Sequence, residues 1–139
     1  MDFEIKRIIT NEFNGENINL ILNDIENTII QSLAGQDFGP SVVKYFWGFE
    51  LFKFDGAYAQ HFSDDIESWK YSRNWLVTNA HFDWNEIKEL NNEELIQEFF
   101  KGLLAAIGRI ETMKKKPKDF NNQAFKAAIE NIGINYNRK

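Results

Sequence analysis

The stretch YFWGFELFKF, residues 45–54, places six aromatic rings in ten positions and constrains the fold more than any other part of the chain. Aromatic residues favour a pleated surface that is at least half buried, and a strand of this kind is stable only with neighbours and a cover. The Asp55-Gly56 pair that follows is a two-residue turn signal whose positive φ angles suit a tight hairpin, so residues 44–54 are predicted to fold back on 57–63. That register sets Phe54 opposite Ala57, Phe52 opposite Ala59, Glu50 opposite His61 and Phe49 opposite Phe62. One side then pairs large rings with small alanines, which leaves room for helices. The other side carries Tyr45, Trp47, Phe49, Leu51, Tyr58 and Phe62 and is either covered by the remaining chain or partly exposed.

The flanking segments supply the neighbours. A first strand is predicted from about Phe3 to Phe13, with Phe3, Ile5 and Ile9 on one parity before the Asn14-Gly15 turn signal. Ile18, Ile21, Leu22, Ile25, Ile29 and Leu33 recur at three- and four-residue spacing and predict a one-faced helix from about Asn17 to Leu33, stopped at Gly35. GQDFGPS, residues 35–41, reads as a loop. Residues 67–84, ESWKYSRNWLVTNAHFDW, read as extended chain, with Trp69, Tyr71, Trp75 and Val77 on one parity against Lys70, Ser72, Asn74 and Thr78. This is a half-exposed strand, or a strand pair broken near Arg73-Asn74. Asn92 is a candidate N-cap for a broad-faced helix from Glu93 to about Met113, and a last helix runs from about Asn121 to Ile132. The resulting expectation is an α+β fold of one domain, residues 1–139. Its antiparallel sheet has about four strands, with one N-terminal and two C-terminal helices packed mainly on one face. Alternating βαβ units are not read from the pattern.

Charge narrows the function classes. Residues 1–67 hold 12 acidic and 4 basic side chains, a balance of -8, whereas residues 68–139 hold 9 and 12, a balance of +3. An acidic half repels nucleic acid and attracts basic proteins, acting more on encounter rate than on final affinity. The absence of cysteine excludes a disulfide scaffold and a thiolate metal site, and fits a reducing compartment. MDFEIKRIIT alternates charge with apolar residues and is not a signal peptide, and no apolar run approaches the roughly 20 residues needed to span a bilayer. The expectation is a soluble cytoplasmic protein that touches neither membrane nor nucleic acid.

Catalytic signals are weak. His61 with Asp64 and Asp65, and His81 with Asp83, are the only groupings of histidine with carboxylates. A metal-assisted hydrolase built on His61, Asp64 and Asp65 is one reading. A turn of solvated aspartates, with the histidine bonded across the hairpin to Glu50, outweighs it because no HExxH, HxH or third firm ligand exists. Ser63, Ser68 and Ser72 lack a nucleophile elbow, and no glycine-rich phosphate loop is present. KKKPK at residues 114–118 reads as the basic end of a helix stopped by proline sooner than as a nucleic-acid contact. The rings would serve a single-strand binder only inside a basic groove, and the hairpin has the opposite charge. A small-molecule or regulatory module using the aromatic side of the sheet is a third reading.

YFWGFELFKFDG, then HFSDDIESWKYSRNWLVTNAHFDWNEI, then the helix ending RIETMKKKPKDFN, resemble small bacterial immunity proteins encoded beside polymorphic or contact-dependent toxins. The resemblance spans about residues 44 to 120 and lies in the order of elements: an aromatic hairpin, a W-x-Y-S strand and an amphipathic helix. It implies a non-enzymatic protein, without cofactor or catalytic residue, that binds and blocks a cognate toxin in the cytoplasm. Many such toxins are basic nucleases, which suits the acidic half. Under that reading Asp55, Asp64, Asp65 and Glu67 steer the toxin, and rings from Tyr58, Trp69 or Tyr71 anchor it.

Overall fold

The computed structural model describes residues 1–9, 15–52 and 70–136. Among these, four strands form one sheet: β1 (Asp2–Ile9), β2 (Lys44–Phe52), β3 (Lys70–Ser72) and β4 (Trp75–Asp83), in the spatial order β1-β2-β4-β3. The helices are α1 (Gly15–Leu33), a single turn α2 (Trp84–Ile87), α3 (Asn92–Arg109) continued by a 3-10 turn at Ile110–Thr112, and α4 (Asn122–Tyr136).

The α+β class and the four strands match the expectation, but the strand directions do not. β2 runs parallel to both β1 and β4, and only the short β3 is antiparallel to its neighbour, so the sheet is mixed. β1, α1 and β2 form the βαβ unit that the pattern reading lacked: a helix between two strands returns the chain to the starting edge, which makes the pair parallel. Among the described residues there are four α-helices instead of three, because Trp84 opens α2 where extended chain was expected; the Asp83 carboxylate caps it by accepting from the Asn85 N–H at 3.0 Å. α3 begins one residue earlier than expected, with Asn91 and Glu94 closing a reciprocal capping box.

Side chains of β2 alternate between two faces. Tyr45, Trp47, Phe49 and Leu51, all fully buried, point to the helical side with Phe3 and Ile5 of β1 and Leu76, Ala80 and Phe82 of β4. α1 packs over β1 and α3 over β4, while α4 lies between them with Phe125 against the Tyr45 ring at 5.0 Å. Phe99 of α3 meets both Phe49 and Phe82 edge-on, at 4.9 and 5.5 Å. All six stripe residues of α1 read from the sequence are buried. The Tyr45 hydroxyl and Thr78 Oγ1 bond at 2.7 Å in the middle of this face, so neither buried polar group is orphaned.

The outer edge of β1 is closed by α1: the Ile5 N–H donates to a Glu26 carboxylate oxygen at 2.7 Å, and the Arg7 guanidinium donates to Asn23 Oδ1 at 2.8 Å. A carboxylate on the ladder groups stops another strand from adding there. At the far side, α4 is tied to α1 by the Tyr136 hydroxyl on Asp24. The basic run 114–118 joins α3 to α4. Pro117 is buried within it and Lys116 pairs with Glu111 at 3.2 Å, in keeping with its structural reading. Gly39, at φ 108°, lets residues 36–41 touch this connection: a Cβ there would stand 1.8 Å from the Asp119 carbonyl oxygen. No helix among the described residues is long and apolar enough to cross a membrane.

Candidate functional site

The opposite face of the sheet carries no helix among the described residues, and it is the candidate site. Register fixes its rows: Asp2, Lys44, Trp75 and Ser72; then Glu4, Phe46, Val77 and Lys70; then Lys6, Gly48 and Asn79; then Ile8, Glu50 and His81; then Phe52 and Asp83. Charged and apolar groups interleave here instead of separating. Lys6 and Lys44 set their ammonium groups over the Phe46 ring, 4.6 and 4.7 Å from its centre, and Trp75 leans on it at 5.3 Å. Phe46 is only 3% exposed beneath them, although it faces away from the helices. Lys44 also pairs with Glu4 at 3.4 Å. Lower down, Glu50 and His81 meet at 2.5 Å, and Gly48 leaves space for Asn79: a Cβ on Gly48 would stand 2.3 Å from Asn79 Oδ1.

At the strand-start end of this face the chain turns sharply. Arg73 and Asn74, with φ of 54° and 66°, are the two central residues of the β3–β4 hairpin, the pattern of a type I′ turn. The Asn74 carbonyl accepts from the Val43 N–H at 2.8 Å, which ties the turn to the start of β2. Trp75, the residue after the turn, is 52% exposed, and Val43 beside it is also exposed.

The expected site residues fall on two sides of this picture. Asp55, Tyr58, His61, Asp64, Asp65, Glu67 and Trp69 lie outside the described residues, as does the return strand expected at 57–63. Glu50, expected opposite His61, has His81 as its register partner. Tyr71 and Trp75, read as sharing a face, are on opposite faces, since a two-residue turn between Ser72 and Trp75 inverts the parity. Tyr71 lies over Leu76 on the helical side, half-buried, and its hydroxyl donates to the Ser41 carbonyl at 2.7 Å. Trp75 is therefore the ring that this hairpin presents to solvent. The signal that could have found it is the Arg73-Asn74 dipeptide read as a hairpin turn.

No cluster of three or more histidine and acidic side chains suited to a metal ion exists among the described residues. His81 and Asp83 do share a strand face, as their spacing suggests. The cleft beside them, about 420 Å³, is open to solvent and mixes charged groups such as Glu86, Glu98 and Lys101 with apolar ones such as Ile87 and Leu90.

The family model described as Immunity protein 44 matches residues 1–135. No curated protein and no solved structure matches the chain.

Proposed function

Because the chain belongs to the Immunity protein 44 family, we propose that it neutralises a cognate bacterial toxin by binding it and covering its working surface. The family match over residues 1–135 is the observation that carries this reading. The action is stoichiometric occlusion in the cytoplasm, with no covalent step, so toxin inhibition titrates to an equivalence point. Such a complex buries about 1,200–2,000 Å² in total.

Sequence charge favours a basic toxin, such as a nuclease. Residues 53–67 carry Asp55, Asp64, Asp65 and Glu67 against Lys53 alone, and a cluster of that sign speeds the approach of a positive surface. Tyr58, Trp69 and Tyr71 are the rings that this segment and its continuation offer as anchors. The test is co-expression with the toxin domain encoded beside this gene, followed by stopped-flow association at several salt concentrations. Wild-type protein is expected to restore growth at equal dosage. Reversing Asp64, Asp65 and Glu67 to lysine should slow association and flatten its salt dependence; an unchanged on-rate rejects the steering role.

A further inference from the structure

The β3–β4 turn holds one residue, Arg73, that its own backbone disfavours. A type I′ turn is best served by Asn-Gly or Asp-Gly, yet its first position is Arg73 at φ 54°, a conformation costly for a side chain with a Cβ. Among the described residues the arginine makes no ion pair or hydrogen bond, and its side chain is exposed. Lys70, across the hairpin on the open face, is likewise exposed and makes no ion pair among the described residues. Between them stands Trp75, half exposed but braced from below by Phe46 and from the side by Lys44, whose ammonium lies 5.9 Å from its ring centre. A large ring held in the open against Phe46, with an exposed valine beside it and cations around it, has the make-up of an interface anchor.

We propose that this hairpin tip is a docking knuckle. Trp75 and Val43 enter an apolar depression on the cognate toxin, and Arg73, Lys70 and Lys44 meet acidic side chains around that depression. The proposal rests on the neutralisation reading above and extends it: the toxin surface is bipolar, basic where it meets residues 53–67 and acidic where it meets the knuckle. Charge favours this occupant over the others. A second copy docked tip to tip would bring Arg73 and Lys70 against their own kind. Among the described residues a nucleic acid would find a single exposed ring at the tip, with Asp2 and Glu4 on the same rows as the cations.

The test uses the intact protein and the purified toxin domain encoded beside its gene, with Kd measured by calorimetry and Tm by thermal unfolding. Trp75→Ala is expected to weaken binding by roughly 30-fold or more, the size of an interface hot spot. Arg73→Gly removes the charge and relieves the backbone together. It should weaken binding several-fold while Tm stays level or rises, a combination that a merely structural arginine would not give. Lys70→Glu should lower the on-rate. Binding by both Trp75→Ala and Arg73→Gly at wild-type strength overturns the knuckle and leaves neutralisation standing, whereas a wild-type protein that fails to bind the toxin domain overturns both. Concentration-dependent dimerisation abolished by Trp75→Ala, or tight binding of a single-stranded oligonucleotide lost in Lys70→Glu, would assign the tip to another occupant and also overturn the proposal.

Discussion

The two faces of the sheet are built from alternate residues of the same strands, yet they hide their rings by different means. On the helical face, Tyr45, Trp47 and Phe49 are enclosed by α1, α3 and α4, and the central polar contact is the Tyr45–Thr78 pair. On the open face, Phe46 is enclosed by lysine stems and a tryptophan that belong to the sheet itself. The first arrangement depends on shape complementarity between elements distant in sequence, so one lost ring leaves a void. The second depends on long side chains that can reorient, so a loss is partly healed and a partner can be admitted.

Mutations should separate the two faces. Phe49→Ala, which strips contacts from Phe82 and Phe99 at once, is expected to cost about 3–5 kcal/mol in urea unfolding; a loss below 1 kcal/mol would erase the distinction. Gly48→Ala tests the open face where it is least yielding, because the new Cβ must displace Asn79. A loss of about 1–3 kcal/mol is expected from equilibrium unfolding. Tyr45→Phe leaves Thr78 without its partner and should cost about 1–2 kcal/mol near neutral pH.

The same variant has a signature in alkali. Burial holds the Tyr45 hydroxyl above the ordinary tyrosine value of 10.0, with the Thr78 bond opposing more weakly. The folded state therefore keeps a proton that the unfolded chain gives up. The stability linked to this group is complete below pH 10 and declines as pH rises beyond it. Tyr45→Phe should make that decline shallower, as read from unfolding midpoints across the alkaline range. Smallest of all, Lys6→Ala removes one of two cations over Phe46 and should cost about 0.5–1 kcal/mol, detectable as a small shift in urea midpoint.

The helices were legible because a stripe at helical spacing states both the element and its buried side. Every residue of the α1 stripe proved buried; along α3 and its continuation Leu95, Phe99, Phe100, Leu103, Ile107 and Ile110 are buried and Ile96 and Leu104 half-buried, and in α4 Phe125, Ile129 and Ile132 are buried and Ala128 half-buried. Strand direction was less legible. The rings of YFWGFELF suit antiparallel and parallel pairing alike, and direction is decided by what lies between strands. A 19-residue helix between β1 and β2 and a near-continuous apolar run were the available signals for parallel neighbours. The exposed ring at the candidate site was misplaced for a related reason. Parity counts through a turn as though the chain ran straight, and a single two-residue turn is enough to send Tyr71 inward and Trp75 outward. The acidic residues at 53–67 were legible as charge, while the outward placement of Trp75 had to await the backbone angles of Arg73 and Asn74.

One consequence of the strand order reaches into biosynthesis. β2 lies between two parallel partners, each delivered by a long detour of chain, so neither of its ladders can be zipped locally. A nascent or truncated polypeptide that stops before Trp75 leaves one whole flank of that ring-laden ribbon bare, ready to join any foreign ribbon it meets. Half-made copies are therefore hazardous cargo for the cell, and only completed ones are safe to accumulate.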